Sequence, residues 1–408
     1  MDAALAGLAS TQRVNFRDFM SIVEESNLDL AAQRDNVAIA QAQLTAARVY
    51  EDPSFQAGYG GDVSHNRQVT SYSGGISQTV LLGGKITARS FVANSGVNIN
   101  VAQTTDFVRS LKRQAADAFV DAITAALLVE RRQKGLLRAQ QLVVFNAARV
   151  MSDDIRQGEL LRSRVAALQA RDEIIKAQSL FQQSLVQMAV LVGDRWHGDL
   201  FYPVGNLDIA TREFNIEDLV KHALSSRADI NAAFYSLEQA RAQYNLVEAN
   251  RVPDVSVGIA YNHFTRVTNP IDPSPAWDWL GVTLSIPIPL SNLNRGELAG
   301  ARYTELQAQK ALKSIRLKAE LEVRSSYERY VLAVDSVEQY AKELVRDSDS
   351  LYKAKLYTLQ QGKTSLLDVL DAYNTINDVY LGYYAALNEQ AKALVALETA
   401  AGIWDLNF

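Results

Sequence analysis

Two hydrophobic periods run along the chain, and each occurs twice. A period of two marks Ser54-Phe55-Gln56-Ala57-Gly58-Tyr59-Gly60 and Asp254 to Asn262, with candidate partner strands at Tyr72 to Leu82 and Trp277 to Ile286. In the last of these, Leu280, Val282, Leu284 and Ile286 share one face, and Gly281, Thr283 and Ser285 the other. A longer period, stepping by four and three, marks Val323, Tyr327, Tyr330, Val334, Val337, Ala341, Leu344, Ser348 and Leu351. It returns in Leu366, Leu370, Tyr373, Asn377, Tyr380, Tyr384, Leu387, Ala391 and Leu394. A weaker copy runs through Phe119, Ala122, Ala126, Val129, Gln133, Leu136, Gln140 and Val143, where two glutamines interrupt the apolar seam. Such spacing makes helices pair and supercoil. No proline lies between Lys85 and Met151, so one helix there would be roughly 100 Å long.

The recurrence is a duplication. Shifted by 200 residues, Asn15-Phe16-Arg17-Asp18-Phe19 meets Asn215-Ile216-Glu217-Asp218-Leu219, and Asp29-Leu30 meets Asp229-Ile230. Asp52-Pro53-Ser54-Phe55 meets Val252-Pro253-Asp254-Val255 at the same offset. Further on, Arg156-Gln157-Gly158 meets Gln360-Gln361-Gly362 at an offset of 204, and Leu191-Val192-Gly193 meets Ala400-Ala401-Gly402 at 209. An ordered series with small drifts predicts two structural repeats. The first, 1–205, has strands at about 53–62 and 70–82 and a helical hairpin at about 85–194. The second, 206–408, has strands at about 253–264 and 276–288 and a hairpin at about 295–402.

Composition narrows the classes. With 48% hydrophobic and 21% charged residues the 408-residue chain is not disordered, and it is too long for a single core. It has no cysteine, hence no disulfide or thiolate metal site. The net charge of −5 argues against a nucleic-acid partner. No apolar run of about 18 residues is present to form a transmembrane helix. No secretory leader is visible, which points to a cytosolic protein or to a chain whose signal has been removed. The four histidines, His65, His197, His222 and His263, lack metal-ligand spacing. No triad, paired-carboxylate or phosphate-loop pattern occurs, so no catalytic residue, metal site or cofactor is expected.

The strand segments are about 10 residues long, enough for a tilted strand to cross a bilayer. Trp277, Trp279, Tyr59, Tyr72 and Tyr261 fall near strand ends, where an aromatic girdle would sit. Two soluble hairpins packed on a core remain an equal reading of the strands alone. If they do span a membrane, four strands cannot close a barrel and an open edge cannot face lipid. Several chains must then share one barrel, and the helices would close into a tube beneath it.

On that plan the chain resembles the TolC-like outer-membrane efflux family over nearly its whole length. Gln361 to Ala372 resembles the family's hairpin tip. Gln78 to Lys85 and Ser285 to Gly296 resemble the strand-to-helix exits, in wording close to the heavy-metal, CzcC-like branch. The resemblance implies a mainly α fold with a membrane β-barrel: a homotrimer, twelve-stranded in outer-membrane lipid, on an α-helical tunnel crossing the periplasm. It implies a periplasmic adaptor (membrane fusion) protein and an inner-membrane resistance-nodulation-division pump as partners, and no enzymatic activity. Many members are lipidated at an N-terminal cysteine, which this chain lacks. A type I protein-secretion duct shares the architecture; a coiled-coil scaffold with no pore is the alternative of another class.

Candidate residues follow. Asp368 and Asp371 share a helix face. The resemblance implies that they project into the closed tunnel end as rings of three carboxylates attracting cations; the competing reading is that they complement a helix dipole. Arg162 and Arg164 are expected either to latch to Asp368 or Asp371 of a neighbouring hairpin or to form a solvated basic face. Gly158, Glu159 and Leu160, with Gln361, Gly362, Lys363 and Thr364, form the expected adaptor-docking tips, the two glycines serving tight turns.

Overall fold

The computed structural model describes residues 11–61, 70–153, 155–196, 200–267, 273–288, 294–406 and 408. The elements in chain order are β1 (Thr11–Asn15), α1 (Phe16–Ser26), α2 (Leu28–Ala47), β2 (Ser54–Gly61), β3 (Thr70–Val80), α3 (Lys85–Met151) and α4 (Gln157–Val192). There follow β4 (Leu200–Val204), α5 (Ile216–Ser226), α6 (Ala228–Ala249), β5 (Val255–Phe264), β6 (Trp277–Ser285) and α7 (Arg295–Gln339). A π turn (Tyr340–Leu344), α8 (Val345–Gln360) and α9 (Leu366–Ala401) complete the chain. The chain forms two compact units, and each takes segments from both sequence repeats.

The first unit comprises residues 1–34, 104–227 and 316–408. Positions that match between the two halves of the sequence play matching local roles in this unit. Asn15 caps α1 by accepting the Asp18 N–H at 2.8 Å, and Asn215 caps α5 by accepting the Glu217 N–H at 3.1 Å. Gly193 and Gly402 close α4 and α9 with φ of 68° and 74°, and each backs onto the end of its own short helix, at Ser26 and Ser226. The short helices bury equivalent stripes. Phe16, Phe19 and Val23 of α1 pack with Phe119, Leu185 and Met188. Leu219, Val220 and Ala223 of α5 pack with Val323, Tyr330 and Leu397. A third cluster joins Ala139, Leu142 and Ala170 to Tyr352, Leu359, Leu366, Val369 and Ile376.

Three features of this unit differ from the sequence reading. The pairing of β1 with β4, parallel from Thr11↔Leu200 to Asn15↔Val204, was not expected. The seam of α3 beyond Val129 runs through Arg131, Gly135, Ala139, Leu142 and Asn146, with Gln140 exposed. In the second hairpin the 4,3 spacing holds to Val337 and then breaks at the π turn, where the Val345 N–H reaches the Tyr340 carbonyl. One extra residue in the turn advances the buried stripe by one. Ala341, Leu344 and Leu351 are exposed, and Val345, Ser348, Tyr352 and Leu359 face inward.

The second unit comprises residues 35–103 and 228–315. Its centre is an antiparallel sheet in the order β2-β3-β5-β6. The Lys85 Nζ, at the start of α3, pairs with Asp254 Oδ1 at 2.7 Å, and the Leu82 N–H donates to the same oxygen at 3.1 Å. This buried lysine fixes the exit of β3 beside the entry to β5.

Candidate functional site

In the sheet, the register decides which side chains share a face. Phe55 lies opposite Ile76, Ile76 opposite Ile259, and Ile259 opposite Val282. The same face carries Tyr59, Tyr72, Val257, Tyr261, Leu280 and Leu284. The other carries Ser54, Gln56, Gly58, Ser73, Ser77, Thr79, Ser256, Gly258, Thr283 and Ser285. The apolar face is exposed: Leu280 is 72% and Val282 76% accessible. An aliphatic face this open to water is disfavoured, and the surroundings that suit it are hydrocarbon. The soluble-hairpin reading, with apolar faces turned to a core, does not hold. At the loop ends Tyr59 meets Tyr72, ring centroids 5.3 Å apart. Trp277 and Trp279 do not join them. Alternation puts both on the small, polar face, Trp277 stacked on Phe264 at 4.2 Å and Trp279 over Gly281. The outer sides of the two edge strands, β2 and β6, have no strand partner among the described residues.

The hairpin turns lie in the first unit. Between α8 and α9 the chain reverses through a Schellman motif: the Lys363 N–H donates to the Thr358 carbonyl at 2.9 Å and the Gly362 N–H to Leu359 at 3.0 Å. Gly362 has φ of 66°. Ser365 then caps α9. The Asp368 N–H donates to Ser365 Oγ at 3.3 Å, and Asp368 Oδ2 accepts from the Ser365 N–H, the Ser365 hydroxyl and the Thr364 hydroxyl at 3.1, 2.6 and 2.9 Å. These three donors hold the Asp368 carboxyl below its ordinary range. Asp368 thus completes a capping box, and Asp371 is exposed one turn on.

The turn between α3 and α4 is built otherwise. Asp153, with φ of 61°, takes the left-handed position. Gly158 is helical and lies within the first turn of α4, which corrects its assignment to the turn itself. Arg156 occupies the N-cap of α4 with no side-chain hydrogen bond. Arg162 and Arg164 are exposed, Glu159 is half-buried, and Leu160 points inward. Gln361, Gly362 and Lys363 are exposed, and Thr364 is half-buried. Among the described residues no ion pair within the chain joins Arg162 or Arg164 to Asp368 or Asp371.

Other polar groups brought together here escaped the sequence reading. Asp121 of α3 binds Lys392 at 2.6 Å and Asn388 at 3.0 Å, both on α9. The fully buried Glu398 pairs with Arg212 at 3.0 Å and accepts the Asp405 N–H at 2.8 Å; burial raises its affinity for a proton. His263 and Tyr261 both bind Asp278, and His222 binds the Ala401 carbonyl; His65 and His197 lie outside the described residues. Among the described residues no group of three or more histidines and acids could hold a metal ion. Among the described residues no helix is long and apolar enough to cross a membrane.

Known proteins share this arrangement. Residues 219–403 match the family described as outer membrane efflux protein. The cobalt-zinc-cadmium resistance protein CzcC of Cupriavidus metallidurans is 20% identical over 384 residues, covering 94% of this chain and 88% of its own. The pyoverdine export outer membrane protein OpmQ of Pseudomonas putida is 25% identical, with 94% and 84% covered. Among solved structures, CusC, studied for its transmembrane channel formation, superposes with a TM-score of 0.78 at 17% identity, covering 96% of this chain and 92% of its own. The family match thus lies within the second half of the chain, and the fold it shares with CusC extends over nearly every residue.

Proposed function

We propose that this chain is the exit duct of a tripartite efflux system in the bacterial outer membrane. The observation that carries the proposal is the two-faced sheet with unpaired edges: lipid suits one face, water the other, and a closed barrel needs further strands. Three copies would bring twelve strands, enough for an aqueous lumen, whereas two would give eight and a filled interior. The helices of the three copies form the periplasmic tunnel. The two structural repeats, 1–205 and 206–408, each contribute one strand pair and one helical hairpin to the protomer.

On this reading the hairpin turns face inward to the periplasm. Glu159 and Gln361 to Thr364 meet a periplasmic adaptor, behind which stands an inner-membrane resistance-nodulation-division pump. Gly158 and Leu160 support that surface from within α4. Asp368 and Asp371 form carboxylate rings at the closed end, and Arg162 or Arg164 latches to them from a neighbouring hairpin. An exposed pair of this kind contributes only about 0–1 kcal/mol, so an adaptor can open it. The cargo is a heavy-metal cation, as the name of CzcC suggests for that relative.

Purified protein reconstituted in planar bilayers tests the duct: it is expected to need detergent, to be trimeric and to conduct ions, with Arg164→Glu changing the conductance. A monomer stable without detergent leaves the scaffold reading instead. For the cargo, removing the protein is expected to lower the tolerated concentration of zinc, cobalt or cadmium salts severalfold. Equal growth with and without it would remove the metal assignment and leave organic cargoes such as the one in the name of OpmQ.

A further inference from the structure

Arg131 of α3 is 5% exposed. Its guanidinium carbon lies 3.6 Å from the centre of the Tyr380 ring. Its Nε and Nη2 are buried with no hydrogen-bond partner among the described residues. Those two N–H groups form one edge of the guanidinium, the edge through which a single acceptor or a planar anion is held by two hydrogens at once. Two turns along α3, Arg138 lies over the Tyr352 ring at 5.2 Å, and its Nη1 is also buried and unpartnered.

The surrounding charges do not balance. The carboxylate that acts on Arg131 is Asp349 of α8, and it is already held by Lys353 at 2.8 Å and by Arg138 at 3.4 Å. From α9 the groups facing Arg131 are the phenols Tyr380 and Tyr384. Three cations therefore share one carboxylate. Burial, and Arg138 nearby, weaken the hold of Arg131 on its proton. A guanidinium nevertheless stays protonated inside proteins, so this group cannot escape the cost of burial by becoming neutral. An aromatic face offsets part of that cost and leaves both N–H groups of the edge unused.

We infer that the Nε/Nη2 edge of Arg131 binds a small monovalent anion of chloride size. The anion supplies the missing negative charge between α3 and α9.

The test uses the full-length protein in detergent, melted at constant ionic strength in sodium gluconate, chloride or bromide, together with crystals grown in bromide. Gluconate, a large organic anion, is the reference salt. Melting is expected to rise saturably with either halide, by about 3 °C at roughly a hundred times the Kd. Arg131→Met is expected to melt alike in all three salts, and an anomalous bromide peak is expected on the Arg131 edge. Arg131→Lys keeps the charge without the planar edge and is expected to lose the halide response, which keeps the test open if the Met variant does not fold. Equal melting of the native protein in all three salts, an unchanged response in either variant, or an ordered water alone at the edge would each overturn the inference.

Discussion

The two helical hairpins share one plan, two long helices joined by a turn, yet they solve the same problem differently. The first keeps α3 unbroken from Lys85 to Met151 and turns through Asp153. The second interrupts its first arm with a π turn and reverses through Gly362 and a capping box at Ser365. The contents of their seams differ too. α3 buries Arg131 and Asn146 with polar atoms unpartnered, whereas α9 buries Glu398 with an ion pair and a backbone donor. The plan is common to both, and each hairpin carries its own departures from regular helix.

Deleting one residue from each arm separates the two designs most strongly. A π turn holds one residue more than a regular turn, so deleting the exposed Lys342 converts it to α-helix and leaves Val337 and Val345 one heptad apart. That deletion is expected to leave melting nearly unchanged, since it costs only the surface pair Lys342–Glu338. Deleting Gln140 from α3 instead rotates everything beyond it by about 100°. Leu142 and Asn146 leave the core, with a loss of about 3 kcal/mol or more and little folded protein in the membrane fraction. Equal damage from both deletions would show that the π turn is a fixed part of the packing rather than a stored insertion.

The same turn explains what could be read in advance and what could not. In α9 all nine heptad positions from Leu366 to Leu394 are buried or half-buried, because a strong repeat has only one way to face a neighbour. Beyond Val337 the repeat is ambiguous. Leu344 and Val345 are both apolar, as are Leu351 and Tyr352, so a one-residue advance leaves no mark in the pattern. In α3, alanines and leucines on adjacent positions blur the seam in the same way, which is how Ala139 and Leu142 were passed over for Gln140 and Val143. The sheet faces were legible because period two admits only two assignments, and the same alternation sets Trp277 and Trp279 on the side of Gly281, Thr283 and Ser285. Strands β1 and β4 span five residues each, and Pro203 lies in one of them, too little for periodicity to register. At the candidate gate, the signal overlooked was Ser365 three residues before Asp368, a capping box in plain sequence. The unpartnered edge of Arg131 leaves no such trace, because it depends on which residues of α8 and α9 come to face it.

Alanine at the two matched glycines sharpens the comparison on a smaller scale. Gly362→Ala forces a side chain into the left-handed region and is expected to lose about 1–2 kcal/mol. Gly158→Ala meets open space on a helical residue and is expected to gain up to about 1 kcal/mol. Thermal melts of the two variants beside the native protein give both signs in one experiment. Losses of equal size would mean that Gly158, too, is held by something beyond its own helix.

The smallest effect concerns protons. The carboxyl of Asp368 is stabilised as the anion by the hydroxyl of Ser365, then by the hydroxyl of Thr364 and the Ser365 amide, so its folded pKa lies below the unfolded one. A group depressed in this sense contributes its stabilisation above the ordinary carboxylate range and loses it as pH falls through the folded value. The first turn of α9 is therefore expected to fray in acid, whereas that of α4, whose N-cap Arg156 makes no side-chain bond, does not change with it. Amide-exchange protection of Asp368 and Val369, corrected for intrinsic rates and followed from neutral pH to about pH 3, reads this directly against Glu159 to Arg162. Asp368→Asn keeps an acceptor but cannot titrate, so its protection is expected to be flat with pH. A native profile as flat as that of the Asn variant would mean that the box is held by geometry alone and that the charge on Asp368 is free for the lumen.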